Sequence, residues 1–199
     1  MIGYIKGTVE EIYPDHILFE SNSIGYRIFV PVSMIDELSY GDELKIYTYL
    51  SVKEDSLTLF GFKKRDELET YKLLLTVNGV GPKAAMGIMS SVGVDELRYC
   101  VLTSDAKKLA KAQGIGAKTA QKIILELKDK FSFEDMFDVD NEQTSAAPAA
   151  SGAVADAVSA LEALGYSASD ALKAVRKASE NNSDADSGEL LKLSLKFMI

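Results

Sequence analysis

The chain of 199 residues has one cysteine, one histidine, four prolines and no tryptophan. The lone Cys100 excludes an intramolecular disulfide framework and is typical of a reducing compartment. Because His16 is the sole histidine, no serine–histidine or cysteine–histidine pair is indicated, and no zinc-ligand spacing occurs. The sequence has no signal-peptide core and no run of about 18 apolar residues, so we expect a soluble, cytoplasmic protein that contacts no membrane. These absences favour a binding protein without catalysis, metal or cofactor.

The charge is unevenly distributed along the chain, whose net charge is −8. Residues 63–130 carry 13 Lys and Arg against 8 Asp and Glu, a net charge of +5. By the same count residues 1–62 have a net charge of −6 and residues 131–199 of −7. A basic middle within an acidic chain is the distribution expected of a phosphate-binding surface.

An internal repeat organises this basic middle. The segment TVNGVGPK at Thr76–Lys83 returns as KAQGIGAK at Lys111–Lys118, and a shift of 35 residues aligns the two. Apolar residues at helical spacing precede and follow each Gly-apolar-Gly turn. We predict two helical hairpins whose glycines adopt positive φ or admit another backbone, and whose central apolar residue packs inward. The helix N-terminus after each turn then offers backbone N–H groups to an anion, with a lysine beside it.

Neither turn has the spacing of a nucleotide-binding loop. A dinucleotide site requires a preceding strand and a third glycine, but here a helical pattern precedes and Ala84 takes the third place. A phosphate-binding loop requires a glycine five residues before Gly116, where Lys111 stands. Glycine-capped helices explain one such turn, whereas two turns in the same order resemble the helix-hairpin-helix, a module that binds DNA backbone without reading sequence. That resemblance assigns backbone contacts to ten residues: Asn78, Gly79, Val80, Gly81, Lys83, Gly114, Ile115, Gly116, Lys118 and Thr119.

The first 62 residues have the pattern of short strands. Runs of β-branched, aromatic and apolar residues alternate with turn residues, and Ser33–Leu38 has the pattern of a short helical turn. The predicted strands are Ile2–Val9, His16–Glu20, Gly25–Val30, Leu44–Val52 and Leu57–Phe62. Five strands with one helical insertion suggest a small OB-type barrel. Its acidity favours a role in assembly over a nucleic-acid groove along its strands.

Short charged segments leave two interpretations open. Lys53-Glu54-Asp55-Ser56 joins the last two strands as a solvated turn, or as a metal or catalytic site for which the neighbouring sequence supplies no further ligands. Lys63-Lys64-Arg65 is either a solvated helix start or a further phosphate contact. The same choice applies to the lysines that follow: Lys107, Lys108, Lys111, Lys122, Lys128 and Lys130.

The last third of the chain divides into a linker and a helical segment. Residues 132–152 are acidic and then rich in Ala and Ser with one Pro, which predicts a flexible linker because such residues cannot build a core. Residues 153–199 recover helical periodicity in three short stretches, with a break at Leu164-Gly165-Tyr166. Three helices with a Leu-Gly-Tyr turn resemble a ubiquitin-associated-type bundle, for which we expect a protein-binding surface.

The complete order of segments resembles one family. The motifs GYRIFVPVS, KEDSLTLFGF, LLLTVNGVGPKAA, GIGAKTAQKIILELKDK and LEALGY occur in the order and spacing of the RuvA family, the Holliday-junction-binding subunits of the bacterial branch-migration complex. The resemblance implies an α+β, multidomain protein. Its expected parts are an OB-fold barrel at 1–62, a tandem helix-hairpin-helix domain at 63–131, a linker at 132–152 and a UBA-like three-helix bundle at 153–199.

The resemblance also implies a function. It predicts a non-catalytic protein that binds four-way DNA junctions in recombination and repair as a homotetramer, in some members stacked in pairs as an octamer. Glu54 and Asp55 match the family's acidic pin at the crossover. The bundle is expected to bind the RuvB ATPase, and the RuvC resolvase to meet the same junction. The implied RuvB-binding surface consists of Leu161, Leu164, Tyr166 and Leu190.

The chain departs from the family pattern at three positions. Gln113 and Ala117 stand where Pro and Lys are usual, and Tyr4 stands where a basic residue is frequent, so phosphate contacts available to other members are lost. Three other functions stay open on the sequence. They are a DNA-binding accessory subunit of a repair nuclease or polymerase, an RNA-binding factor that uses the barrel, and an enzyme with a metal at Glu54 and Asp55.

Overall fold

A computed structural model describes five stretches of the chain: residues 2–112, 114–131, 149–179, 182 and 185–198. The chain forms two compact units: Met1–Leu97 with Ala106–Leu127, and Arg98–Asp105 with Lys128–Ile199. Among the described residues, no helix combines the length and apolar character that a membrane span requires.

Five strands form a closed barrel in the first unit. They are β1 (Tyr4–Ile12), β2 (His16–Ser21), β3 (Ile24–Phe29), β4 (Glu43–Val52) and β5 (Leu57–Phe62). Around the barrel the order is β1-β2-β3-β5-β4. Strands β3 and β5 pair in parallel, and the other neighbours are antiparallel. This arrangement confirms the predicted OB-type barrel.

Alternation of side chains along the strands builds the barrel core. Ile5 on β1 lies opposite Ile46 on β4, and both are buried. Gly61 on β5 is required by this packing, because a Cβ there would lie 2.5 Å from a methyl of Ile28 and 2.6 Å from one of Ile46. The short helix α1 (Val32–Ile35) adds Met34 to the core, close to the predicted helical turn.

Four helices follow the barrel and lie within the first unit: α2 (Arg65–Thr76), α3 (Pro82–Ser91), α5 (Ala106–Leu109) and α6 (Ala117–Leu127). A fifth, α4 (Gly93–Leu102), runs from the first unit into the second. Helix α2 is fixed to the barrel by Tyr71, whose buried ring lies 4.9 Å from that of Phe62 and 5.5 Å from that of Phe60. Tyr49 completes this aromatic cluster at 5.6 Å. The first hairpin therefore has a rigid attachment to the barrel.

Three helices, α7 (Ala149–Ala163), α8 (Ala168–Ser179) and α9 (Ser187–Leu195), form a bundle in the second unit. Ser167 caps α8 by accepting the backbone N–H of Asp170, and Asp186 caps α9 by accepting that of Glu189. Residues 132–148 of the predicted linker lie outside the described residues. Its last four residues are helical, because the alanines there are strong helix formers and extend α7 backwards.

Candidate nucleic-acid interface

The two predicted hairpins are present and share one backbone geometry. Gly79 and Gly114, the first glycine of each turn, have φ of +92° and +82°. Gly81 has φ of −90° and ψ of 175°, and Gly116 also lies outside the positive-φ region. The first glycine of each turn therefore adopts the predicted positive φ, whereas for the second glycine only the other predicted use, close approach of another backbone, stays a prediction.

The same three backbone hydrogen bonds close each turn. In the first hairpin the N–H groups of Val77, Val80 and Ala85 donate to Leu74, Val77 and Gly81 at 3.1, 3.0 and 2.9 Å. In the second hairpin the N–H groups of Ala112, Ile115 and Ala120 donate to Leu109, Ala112 and Gly116 at 3.1, 3.1 and 2.9 Å. Each pair of bonds is separated by 35 residues in the sequence. The internal repeat of the sequence is thus a repeat of structure.

Packing below the turns follows the same register. Val80 and Ile115 are 5% and 6% exposed, which confirms that the apolar residue between the glycines packs inward. Leu74 and Leu109, which accept the first bond of each turn, are fully buried. These contacts fix the turns from beneath, so the glycine backbone is held at the surface.

The outward side of each turn is free for a ligand. A Cβ added at Gly81 or Gly116 would meet no atom of the protein within 4 Å, so internal packing does not require glycine there. Lys83 and Lys118 are each the second residue of the following helix and are exposed. Amides of a first helical turn have no intrahelical acceptor and point along the axis. Each turn thus combines accessible backbone, helix-end amides and a lysine, which is the chemistry of an anion site.

The remaining predicted residues of the turns fit this arrangement in part. Asn78, Gly79 and Gly114 are exposed, whereas Thr119 is half-buried. Ala117, a departure from the family pattern, is the first residue of α6 and is exposed. Gln113 lies outside the described residues.

Several lysines form ion pairs with carboxylates of the protein. Lys63 Nζ lies 2.7 Å from Glu37 Oε2, and this hydrogen bond holds the pKa of the Glu37 carboxyl below its ordinary value. Lys108 forms an ion pair with Glu96, and Lys122 lies 3.9 Å from Glu126. A phosphate would share each of these three ammonium groups with a carboxylate, which weakens their case relative to Lys83 and Lys118.

The acidic turn projects between β4 and β5. Its four residues, 53–56, are all exposed, and the N–H of Lys53 donates to the carbonyl of Ser56 at 2.9 Å. Ser56 Oγ donates to Asp55 Oδ1 at 3.3 Å. In the part of the chain that the structure describes, no group of three or more His, Cys, Asp or Glu residues is placed to hold a metal ion. The turn presents its two carboxylates to solvent on a closed hairpin.

An aromatic and basic face on β1 and β4 was not anticipated from the sequence. Tyr4 pairs with Tyr47 and Lys6 with Lys45 across the two strands. Lys45 Nζ lies 4.6 Å from the ring centroid of Tyr4 and 4.3 Å from that of Tyr47, whose hydroxyl is 3.0 Å away. Cross-strand register brings these four side chains together, and sequence alone does not give that register.

The two residue types most often used as nucleophile or base, cysteine and histidine, occur here in structural positions. Cys100 is fully buried. The ring of His16 stacks on that of Tyr13 with centroids 4.5 Å apart, and its Nδ1 lies 2.7 Å from Asp15 Oδ1. His16 thus helps to close the turn between β1 and β2.

The bundle residues assigned to a partner surface divide into two pairs. Leu161 and Leu190 are 0% and 2% exposed and belong to the bundle core, so they are corrected from surface to core residues. Leu164 and Tyr166 are 61% and 37% exposed. They flank Gly165, which ends α7 with φ of +93°, and its N–H donates to Glu162. This glycine turn places its two neighbours outside the core.

Comparisons with known proteins agree with this architecture. Three family models match successive parts of the chain: the RuvA N terminal domain at residues 1–61, a SAM-like helix-hairpin-helix tandem at 71–129 and the RuvA C-terminal domain at 152–199. The chain is 48% identical to the Holliday junction branch migration complex subunit RuvA of Lachnospira eligens, over 100% of this chain and 99% of that protein. It is 42% identical to the subunit of that name from Clostridium botulinum strain 657, over the full length of both, and 43% identical to that of Acetivibrio thermocellus, over 98% of both. The chain belongs to the RuvA family.

Proposed function

We propose that this protein binds four-way DNA junctions through their sugar–phosphate backbone and holds them for branch migration, without catalysing a covalent step. The duplicated hairpin is the observation that carries the proposal. The same hydrogen bonds, the same positive-φ glycine and the same exposed lysine occur twice. The relatives' name, Holliday junction branch migration complex subunit, agrees with this chemistry.

The hairpins contact phosphates and leave bases unread. Each turn offers backbone amides and one lysine, groups that bind phosphate and position DNA but carry no sequence information. The proposed contacts are made by ten residues: Asn78, Gly79, Val80, Gly81, Lys83, Gly114, Ile115, Gly116, Lys118 and Thr119. One such module binds in the nonspecific range, roughly 10⁻⁴–10⁻⁶ M. Several modules that bind together raise the avidity by about 10²–10⁴. Only a DNA target whose shape lets all of them bind at once gains this increase.

In the proposal, assembly of several copies arranges the hairpins to match the arms of a four-way junction. We infer a homotetramer, alone or stacked in pairs as an octamer. The barrels of residues 1–62 lie at its centre and the hairpins of 63–131 along the arms. The segment 132–152 serves as the linker. The bundle of 153–199 binds the RuvB ATPase through a surface that includes Leu164 and Tyr166, and the RuvC resolvase meets the same junction. Cysteine usage and DNA binding support a location in the cytoplasm.

The acidic turn acts at the crossover in this account. Glu54 and Asp55 are exposed on a closed hairpin that carries no cluster of metal ligands among the described residues. Carboxylates repel phosphates and thereby favour parting of the strands as they exchange partners. The turn thus limits how closely the strands approach one another.

The proposal is tested by competition between two DNA shapes. A labelled immobile four-way junction is bound by the full chain in EDTA, and unlabelled junction or linear duplex of equal length is added in excess. We expect the junction to displace the label and the duplex to leave the complex largely intact. Equal competition by duplex would reduce the protein to a nonspecific DNA binder, and loss of binding in EDTA would indicate a metal-dependent mode.

A second candidate function is single-stranded nucleic-acid binding on the barrel. Lys45 between the rings of Tyr4 and Tyr47 favours it, because aromatic rings and lysines are typical of such surfaces. Against it, the adjoining cavity of about 570 Å³ is lined by Glu20 and Glu43 as well as by Lys6 and Lys45, so its charges balance and it lacks the net positive charge of a nucleic-acid groove. Displacement of the labelled junction by single-stranded RNA at concentrations where duplex has no effect would favour this candidate.

A further inference from the structure

The hairpin that carries the acidic turn also carries an exposed apolar pair. Val52 ends β4 and Leu57 begins β5, and the two are cross-strand partners. They are 67% and 73% exposed, among the most exposed large apolar side chains of the described residues. At this exposure the two aliphatic side chains contribute little to packing of the barrel core.

The pair continues the inner face of the barrel beyond its end. One ladder step back on the same face, Leu50 lies opposite Leu59, which is buried in the core. Ile46, further along β4, is fully buried. The β4–β5 hairpin therefore extends out of the barrel, and its apolar face leaves the core and enters solvent directly below Glu54 and Asp55.

We propose that Val52 and Leu57 contact nucleobases at the crossover of the junction, an inference that rests on the proposed function. The charges of the turn decide between the candidate occupants. Phosphates are repelled by Glu54 and Asp55. A second copy of the same hairpin, pressed against Val52 and Leu57, would bring further carboxylates within a few ångströms in a poorly hydrated contact.

Nucleobases are compatible with both the apolar pair and the carboxylates of the hairpin. Their faces are uncharged and accept aliphatic contact, as the leucine and isoleucine wedges of architectural DNA-binding proteins do. Their amino groups donate to carboxylates, as cytosine N4 does to Glu or Asp. The apolar pair covers bases that unstack where strands exchange, and the carboxylates above it exclude the backbone. The hydrogen bond from Lys53 to Ser56 keeps the two strands together as this occurs.

The test uses the full chain with Val52→Thr and Leu57→Thr together, which places a β-branched residue with good strand propensity at both positions of the exposed ladder and leaves the carboxylates in place. The matched control is Ile24→Thr, since Ile24 is 55% exposed on β3 and belongs to no part of the proposed interface. Three quantities are measured: affinity for an immobile junction and for duplex, emission of 2-aminopurine placed at the branch point, and mass in solution.

The double variant is expected to lose about tenfold in junction affinity, on the order of the contribution of one buried aliphatic side chain, with duplex affinity and mass unchanged. Its 2-aminopurine emission should fall toward that of the free junction, and Ile24→Thr should behave as the wild type. Wild-type emission in the double variant would overturn the inference. A reduced mass would also overturn it, because the pair would then be a contact between copies. Failure of the wild type to select the junction would instead refute the proposed function itself.

Discussion

Gly79 and Gly114 occupy the same position of two hairpins 35 residues apart and adopt the same left-handed backbone, with φ of +92° and +82°. Each is followed by a buried apolar residue and a second glycine, outside the positive-φ region, that directly precedes a helix. The structural repeat separates two uses of glycine. The first glycine of each turn is needed for the turn to form, and the second is needed for what approaches it.

Substitutions in the first hairpin should separate these uses. Gly79→Ala forces an L residue into the left-handed region, and we expect the free energy of unfolding to fall by about 1–2 kcal/mol. Gly81→Ala adds a methyl group into open space at an ordinary φ, so its stability should match or exceed that of the wild type. Junction affinity of Gly81→Ala should nevertheless fall, because the methyl stands where the backbone of DNA approaches. Denaturant unfolding and gel shift measure the two effects, and an unchanged affinity would remove Gly81 from the interface.

Tyr71 carries a hydroxyl group that is buried without a hydrogen-bond partner among the described residues. Tyr71→Phe should therefore leave stability unchanged or raise it by about 1 kcal/mol, whereas Tyr71→Ala should lose about 3–5 kcal/mol through the cavity left in the aromatic cluster. Denaturant unfolding at pH 7 distinguishes these outcomes. A loss of more than 1 kcal/mol in Tyr71→Phe would reveal a partner for the hydroxyl.

Burial raises the pKa of the Tyr71 hydroxyl above its ordinary value of 10.0. The unfolded chain then loses this proton at lower pH than the folded one, so the contribution of Tyr71 is fully present below pH 10 and is lost as the pH rises above it. The stability of the wild type should fall above pH 10 more steeply than that of Tyr71→Phe, by up to about 1.4 kcal/mol per pH unit. Parallel curves for the two proteins from pH 9 to 11 would contradict the assignment.

Removing the charge of the acidic turn should strengthen junction binding. With Glu54→Gln and Asp55→Asn together, repulsion of about 1 kcal/mol between a carboxylate and a nearby phosphate disappears, and affinity should rise about fivefold. Glu20→Gln with Asp36→Asn, two exposed carboxylates elsewhere in residues 1–62, serves as a control that removes the same net charge. Weaker junction binding that Mg²⁺ restores in the wild type alone would favour a metal site over a pin.

Two leucines of the bundle, one exposed and one buried, test the proposed RuvB-binding surface. Leu164→Ser alters an exposed side chain, so helicity should be kept while binding to RuvB weakens. Leu161→Ser buries a hydroxyl group and leaves a cavity, at a cost of about 2–5 kcal/mol, and should unfold a bundle of this size. Circular dichroism and a pull-down with purified RuvB separate the cases. Full RuvB binding by Leu164→Ser would exclude this residue from the surface.

Much of the fold could be predicted from local sequence. Runs of β-branched, aromatic and apolar residues between turn residues predicted five strands, and Gly-apolar-Gly between helical periods predicted both hairpins, because each signal acts within a few residues. The burial of Val80 and Ile115 followed from the repeat itself. The acidic turn was visible as charge between two strands. These features depend on neighbours in the chain and are read without knowledge of the tertiary structure.

Features that depend on distant neighbours could not be predicted. The helical periodicity of residues 153–199 predicts apolar helix faces but does not show whether another helix covers Leu161, which packs with residues of α8 and α9. The meeting of Tyr71 with Phe62 and the pairing of Lys6 with Lys45 require the register of the barrel. Val52 and Leu57 resemble core strand residues in sequence, and only the point at which the hairpin leaves the barrel exposes them. Closure of the sheet thus decides what the local pattern leaves open.

The dependence of junction affinity on salt tests most directly whether the two hairpins bind the DNA backbone as equivalent sites. The slope of log Kobs against log[salt] is measured for the wild type, Lys83→Gln, Lys118→Gln, both together, and Lys122→Gln as the control whose lysine lies beside Glu126. We expect each single substitution to reduce the magnitude of the slope by about 0.9 per phosphate contact removed, the double to reduce it by the sum, and the control to leave it unchanged. Slopes that stay at the wild-type value in Lys83→Gln and Lys118→Gln would contradict the account.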